Sequence, residues 1–384
     1  MNIIAKGQRT GSVNEIKKAL APRRKERSLD FAVGKSSRSV ISSLLVVCGK
    51  VGRENAALYE KHSREIGADF VLETGRSWVL AQQTIRKNYK PGVHQGVLLI
   101  GTNKELPSTQ IAYQGSYAFS DWFIQDVDGD GIPDVPVGRI FGPPETVLYH
   151  MDPMIIDSNI AVVFDSEPGR STRHVEALAK LGFDVEVLRK FAPEDVPLLS
   201  VSEFILQFSD GTYTSRIHGT PDVWASHNSL ILTHQQAASI KFKGYPVIYS
   251  EACSTAREGL LVRAFLDQGA CYIGSSLDTV NNLEPFDDWR ACAYADGYKF
   301  GFLDLLDSKD LIGKVKLGVD RAIYENLESS VKAEIEAVRN GMTTEIKSDK
   351  ALSTVEWLMY GNPLRRTAVG PSADFSPGRI PVDT

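Results

Sequence analysis

Short apolar runs alternate with amphipathic segments along this chain, and the alternation restricts its fold more than any other feature. VISSLLVVCG (40–49), DFVLET (69–74) and GVLLIG (96–101) have the composition of buried strands. The segments between them, RENAALYEKHSREIG (53–67) and SWVLAQQTIRKNY (77–89), have the spacing of amphipathic helices. A β-α-β-α-β order predicts helices packed on a largely parallel sheet.

The same pattern returns in the second half of the chain. Strand, helix, strand and strand are predicted in turn for NIAVVFD (159–165), STRHVEALAKLG (171–182), FDVEVLR (183–189) and YPVIYSEAC (245–253). We therefore predict two α/β subdomains, each with a largely parallel sheet flanked by helices. The first comprises residues 39–150 and the second residues 151–366, between a basic N-terminal extension (1–38) and a C-terminal tail (367–384).

Charge and hydropathy exclude several classes of protein. The hydrophobic fraction of 42% and the charged fraction of 24% are those of an ordinary globular protein. Residues 1–38 hold ten Lys or Arg and three acidic residues, so the rest of the chain is acidic, and we expect no nucleic-acid partner for the main body. The sequence contains no run of 18 apolar residues, so no membrane-spanning helix is predicted. The N-terminus also lacks the apolar core of a signal peptide, so a cytoplasmic location is the default expectation.

Cys253 is the strongest candidate for a reactive residue among the four cysteines. It follows the apolar run of YPVIYSEAC directly and precedes small polar residues and an amphipathic segment. In parallel sheets, ligands and catalytic groups gather beyond the carboxyl ends of the strands, and a nearby helix N-terminus favours a thiolate. The alternative is a thiol that serves only as a small buried hydrophobic side chain.

His218 is the candidate partner of Cys253. It lies 35 residues earlier in SRIHGTPDVWAS (215–226), and both residues follow apolar runs, as the ends of two neighbouring parallel strands would. Hydrolysis by a thiolate requires a group that moves protons and donors for the oxyanion. His218, the Gly219 amide and the Cys253 amide are predicted to meet these needs. The alternative for HGTP is a simple exposed turn.

Several motifs in order resemble the gingipain-type cysteine peptidases, which belong to the clan of caspase-like and legumain-like enzymes. They span roughly residues 40–366 and comprise LLIGTNKELPS (98–108), DVDGDGIPDVPVGRI (126–140), HGTPDVW (218–224), SEAC (250–253), GACYIGSS (269–276) and EWLMYGNPL (356–364). The resemblance implies a caspase-like fold of two α/β subdomains with the catalytic pair in the second. It also implies Cys253 as nucleophile, His218 as general acid and base, and a protein or peptide substrate.

Substrate specificity is where the chain departs from the family pattern. Asp165, at the end of NIAVVFD, falls where the resemblance implies an acidic residue at the bottom of the P1 pocket, which would select Arg or Lys. The alternative is that Asp165 caps the following turn or helix. The resemblance also implies Trp224 as a substrate-binding residue. SSLDTVNNLEP (275–285) lacks the tryptophan that walls the pocket in gingipains, and Asn362 stands in the closing motif where Asp is usual.

The acidic loop DVDGDGIPD (126–134) is a candidate cation site. Asp126, Asp128, Asp130 and Asp134 offer oxygen ligands at alternating positions, and the glycines between them allow a tight wrap, which suits Ca²⁺. The twelfth position is Val137 rather than Glu, so the loop is not an EF-hand. Any ion would be structural, because thiol catalysis requires no cofactor. The alternative is an acidic turn between strands.

Three functions remain open from the sequence. A cysteine endopeptidase that forms an acyl-enzyme thioester fits the motifs best. A transpeptidase or ligase of the same fold would replace water by an amine at the acyl-enzyme, and nothing in the sequence decides against it. A caspase-like module that binds without catalysis is disfavoured, because both Cys253 and His218 are present.

Overall fold

A computed structural model describes residues 43–156, 158–165, 171–208, 222–226, 229–277, 279, 286–306 and 311–366. Its strands are β1 (Leu44–Cys48), β2 (Asp69–Leu72), β3 (Gly96–Ile100), β4 (Thr109–Tyr113), β5 (Ser116–Ser120), β6 (Val137–Ile140), β7 (Ile160–Asp165), β8 (Asp184–Leu188), β9 (Phe204–Phe208), β10 (Val223–Ser226), β11 (Ser229–Thr233), β12 (Val247–Ser250), β13 (Cys271–Ser275) and β14 (Trp357–Tyr360).

The helices lie mostly between successive strands of this series. They are α1 (Arg53–Ile66), α2 (Trp78–Asn88), α3 (Pro144–Met151), α4 (Thr172–Lys180), α5 (Val196–Ser200), α6 (His234–Ser239), α7 (Leu260–Asp267), α8 (Ala295–Asp304), α9 (Ile312–Asn326), α10 (Ser329–Arg339) and α11 (Asp349–Val355). Helix α1 ends at Gly67, whose φ of 78° is the left-handed conformation that glycine adopts at little cost. None of the described helices is long and apolar enough to cross a membrane.

Within the described residues, ten strands form one sheet in the order β2-β1-β3-β6-β14-β13-β12-β9-β7-β8. All neighbouring strands from β2 to β6 are parallel, and so are all neighbouring strands from β13 to β8. Strand β14 is antiparallel to β13. The mixed α/β class and the largely parallel arrangement are as predicted.

The prediction of two separate sheets is wrong. Strand β14 lies between β6 and β13 and joins the strands of the first half to those of the second. Its Tyr360 is paired with Arg139 of β6 and also with Tyr272 of β13. The physical reason is that WLMY (357–360) is buried at every position, so it needs a neighbour on both edges and both faces.

The strands around Cys253 are mostly apolar, and polar residues are confined to their carboxyl ends, because both faces of the sheet are covered. Alternate residues of β7 point to opposite faces: Val162 and Phe164 pack in one core cluster, Ala161 and Val163 in another. Continuous burial on two faces explains why these strands read as uninterrupted apolar runs rather than as an alternation. Two antiparallel hairpins, β4–β5 and β10–β11, lie outside the large sheet.

Candidate active site

The carboxyl ends of β7, β9, β12 and β13 meet at one edge of the sheet. These four strands are parallel neighbours, and the register pairs Asp165 with Phe208 and Ser250 with both Gln207 and Gly274. The segments that leave the sheet here therefore start side by side. Cys253 follows β12 by three residues and lies at this edge, as predicted from its place in YPVIYSEAC.

The sulfur of Cys253 has Thr279 as a close neighbour. The Thr279 N–H donates to Sγ across 3.3 Å, and Oγ1 of the same residue is also 3.3 Å from Sγ. All four cysteines lie in the described part of the chain, and none forms a disulfide bond. Cys253 is 9% exposed, compared with 0%, 0% and 3% for Cys48, Cys271 and Cys292. It is thus the most accessible thiol of the chain, although it is held below the surface.

A tight turn follows Cys253 and sets the direction of its side chain. Ser254 has a φ of 60°, in the left-handed region that residues other than glycine adopt at a cost of roughly 1 kcal/mol or more. The turn is held by the segment after β13: the Ser254 N–H donates to the Leu277 carbonyl at 2.5 Å, and the Ala256 N–H donates to the Ser275 carbonyl at 2.8 Å. Backbone strain that neighbouring contacts hold in place is concentrated at functional sites in proteins.

Glu251, two residues before Cys253, anchors the end of β12 from inside the protein. Its carboxylate forms a salt bridge with Nζ of Lys299 on α8, and both side chains are fully buried. Its carbonyl oxygen accepts a hydrogen bond from the Thr279 hydroxyl at 2.8 Å. The ion pair ties helix α8 to the segment that carries the thiol.

Asp165 is placed at the carboxyl end of β7, two strands from β12, and is buried. Its Oδ2 accepts a hydrogen bond of 3.0 Å from the Ser171 N–H, one residue before α4. Asp165 therefore bonds the residue that precedes the next helix, in keeping with the alternative that it holds the following turn. Its predicted role in the P1 pocket stays a prediction.

His218 and Gly219 fall within residues 209–221, which lie outside the described part of the chain. The described residues at both ends of this segment nevertheless contact the elements around Cys253. At its start, β9 runs parallel to β12 as its direct neighbour. At its end, Asp222 Oδ1 accepts a hydrogen bond of 3.2 Å from the N–H of Leu260, the first residue of α7.

Trp224 lies in β10 with its indole ring in the protein core. The ring is fully buried between Phe164 and Phe265, at centroid distances of 5.7 and 5.1 Å, and Nε1 donates to the Tyr272 hydroxyl at 3.2 Å. The ring therefore lies in the core, and the predicted role of Trp224 in substrate binding stays a prediction. A direct contact with substrate would require it to leave the core.

The acidic loop 126–134 is folded around its own backbone. Carboxylate oxygens of Asp126, Asp128 and Asp130 lie within 4.8 Å of one another, a spacing at which they could hold one cation. They also accept hydrogen bonds from loop amides, as Oδ1 of Asp126 does from the Gly129 N–H at 2.6 Å. Arg339 Nη2 lies 3.3 Å from Asp126 Oδ2, and Asp134 accepts from the N–H groups of residues 127 and 128.

Two residues of the site were not found from the sequence. Thr279 lies four residues beyond β13, in the segment SSLDTVNNLEP that the resemblance places at the substrate pocket, but no feature of that segment singled out the threonine. Lys299 did leave a signal, because it is a lone basic residue within the apolar helix segment ADGYKFGFLD. A lysine on a buried helix face requires a partner carboxylate, which the structure identifies as Glu251.

Comparison with known proteins gives a likeness in fold. No family model matches this chain, and no curated protein is similar to it in sequence. A solved structure described as "Structure of Protease" matches with a TM-score of 0.54, over 84% of this chain and 78% of that chain, at 15% sequence identity. The chain therefore shares a mixed α/β fold with a protease.

Proposed function

We propose that this chain is a cysteine endopeptidase in which Cys253 is the nucleophile and His218 the general acid and base. The observation that carries the proposal is the surroundings of Cys253. Its thiol lies at the carboxyl edge of four parallel strands, with a main-chain N–H on the sulfur. The segment that contains His218 starts at the neighbouring strand and ends where Asp222 contacts the helix after Cys253.

The chemistry follows from these groups. The Cys253 thiol gives its proton to His218, and the thiolate attacks the carbonyl carbon of the scissile peptide bond to form a tetrahedral oxyanion. The amides of Gly219 and Cys253 donate to that oxyanion. His218 then protonates the leaving amine, the C–N bond breaks, and a thioester remains on Cys253. A water molecule, deprotonated by His218, hydrolyses the thioester and releases the carboxylic acid.

The turn at Ser254 and the fold support this assignment. A strained residue next to the most accessible thiol of the four, at a sheet edge, is expected of a positioned nucleophile, whereas a packing cysteine needs no such turn. The fold is shared with a protein described as a protease. The proposal also includes a preference for Arg or Lys at P1, whose side chain would bind the Asp165 carboxylate.

Turnover of fluorogenic peptides that differ at P1 tests the proposal. We expect Cys253→Ala and His218→Ala each to lower kcat by at least about 10³-fold, and the double variant to be hardly worse than either, because members of one catalytic unit lose activity non-additively. Cys292→Ala, at a buried thiol elsewhere, is the matched control and should remain active. Undiminished cleavage by folded Cys253→Ala would refute the assignment, and products that carry an added amine would identify a ligase instead.

A further inference from the structure

Thr279 contacts the nucleophile and the segment before it through its main chain and its side chain. Its N–H donates to Sγ of Cys253 at 3.3 Å, its Oγ1 lies 3.3 Å from the same sulfur, and its hydroxyl donates to the Glu251 carbonyl oxygen at 2.8 Å. One residue thus presents both a main-chain donor and a side-chain hydroxyl to the sulfur.

The direction of the hydrogen bond between Oγ1 and Sγ can be worked out by counting protons. A threonine hydroxyl has one proton and two acceptor positions. Because that proton is directed to the Glu251 carbonyl, Oγ1 can only accept from the sulfur. The Cys253 S–H therefore has two acceptors on Thr279, Oγ1 at 3.3 Å and the carbonyl oxygen at 4.0 Å, and Oγ1 is the nearer, so the contacts describe the protonated thiol.

The acceptor of the Thr279 hydroxyl is held in place from the core. Glu251 is fixed by the fully buried ion pair with Lys299, and the loop after β13 is tied to the turn after Cys253 through Ser254 and Leu277. When the thiol loses its proton, Oγ1 would face a negatively charged sulfur with a lone pair. Rotation about the Cβ–Oγ1 bond removes this repulsion and creates a charge-assisted hydrogen bond to the thiolate.

We propose that Thr279 is a further residue of the reaction, whose hydroxyl turns from the Glu251 carbonyl to the Cys253 sulfur when the thiol ionises. This inference rests on the proposed role of Cys253 as nucleophile. The thiol proton passes to His218, the hydroxyl proton remains on Oγ1, and Thr279 forms no covalent bond. Together with the Thr279 N–H, the turned hydroxyl holds the thiolate in the position from which it attacks.

The rate of iodoacetamide alkylation at Cys253, followed by mass spectrometry as a function of pH, tests this role without requiring turnover. Thr279→Val and Thr279→Ala lack the hydroxyl but keep the main-chain N–H, whereas Thr279→Ser keeps both. We expect the midpoint of the profile to rise by about one pH unit in the first two variants, since a hydrogen bond to a charged group is lost. The Thr279→Ser profile should coincide with that of the wild type.

The outcomes separate this inference from the proposed function. A wild-type midpoint in either folded variant without the hydroxyl, or an equal shift in Thr279→Ser, would overturn the role of Thr279 while leaving the nucleophile in place. Retained peptide cleavage by Cys253→Ala would instead remove the proposed function. Using two variants without the hydroxyl ensures that misfolding of one of them does not leave the question open.

Discussion

The main-chain N–H of Thr279 donates to the sulfur of Cys253 across 3.3 Å, so the loop after β13 holds the thiol that follows β12. The two residues are 26 positions apart in the chain. Because β12 and β13 are parallel neighbours, the segments that leave them run side by side. The position of the sulfur therefore depends on the junction between two strands.

Alkylation should distinguish Cys253 from the other thiols. Burial raises the pKa of Cys48 to about 12 and that of Cys271 to about 12, so both remain protonated and unreactive at neutral pH. We expect iodoacetamide at pH 7.5 to modify Cys253 at least about 10²-fold faster than either of them in the folded protein. Peptide mapping after brief labelling measures this ratio, and equal labelling of all four cysteines would contradict an activated thiolate.

Asp165 should determine the preference for a basic P1 residue. Asp165→Asn removes the charge but keeps an oxygen for the Ser171 N–H, so this hydrogen bond is retained. We expect kcat/KM for Arg and Lys substrates to fall by roughly 10²-fold, with that for a P1 Leu substrate unchanged, because only basic side chains gain a charge-assisted contact.

Asp165→Ala provides the control, since it removes both the charge and the hydrogen bond to the Ser171 N–H. It should show the same loss of specificity together with a lower melting temperature. A wild-type preference for Leu, or an Arg preference that survives in Asp165→Asn, would restrict Asp165 to its hydrogen bond with the Ser171 N–H.

His150 should make the folded state sensitive to acid. Its Nε2–H donates to the Leu266 carbonyl at 3.0 Å, so Nδ1 accepts from the Tyr245 hydroxyl and the ring is neutral. Burial lowers its pKa to about 4, from an ordinary value of 6.5. The unfolded chain therefore binds one more proton between these values, and stability that is complete above pH 6.5 is lost as the pH falls toward 4, by about 3 kcal/mol.

Urea denaturation of wild type and His150→Gln at several pH values measures this contribution. Gln does not titrate, so the free energy of unfolding should fall less steeply in the variant between pH 6.5 and 4. Parallel curves for the two proteins would show that another group causes the acid sensitivity.

Replacing one member of the Glu251–Lys299 ion pair should strongly destabilise the folded protein. Both groups are fully buried, so Lys299→Met leaves an uncompensated carboxylate and should destabilise the protein by roughly 3–5 kcal/mol. The double variant Lys299→Met, Glu251→Gln should recover part of this loss because it removes the buried charge as well. Lys61→Met, at an exposed helix pair with Glu65, is the matched control and should change little in chemical denaturation.

Calcium should stabilise the acidic loop if its carboxylates hold an ion. We expect millimolar Ca²⁺ to raise the melting temperature of the wild type relative to EDTA, because an ion that binds only the folded state stabilises it. Asp128→Asn keeps the acceptor for the Asp130 N–H but weakens the site, so the increase should disappear. Identical melting with Ca²⁺ and with EDTA would show an acidic turn held by its amides and by Arg339.

Where local sequence predicted a strand or a helix, the observed element lies close to the predicted bounds. The segment predicted as a helix over 53–67 is Arg53–Ile66, and the strand predicted over 96–101 is Gly96–Ile100. The place of Cys253 beyond a strand end followed from the change to small polar residues in SEACSTAR. These features are readable because the spacing of apolar side chains repeats with the period of the element that buries them.

The tertiary structure decided which of these elements became neighbours. Strand β14 joins two predicted sheets into one, Lys299 reaches Glu251 from 48 residues away, and Thr279 meets Cys253 through the order of β12 and β13. None of these contacts has a local signature that identifies its partner, since a buried strand looks the same whichever strand lies beside it. The order of the strands follows from burying all of their faces at once, and that order places the hydroxyl of Thr279 against the thiol of Cys253.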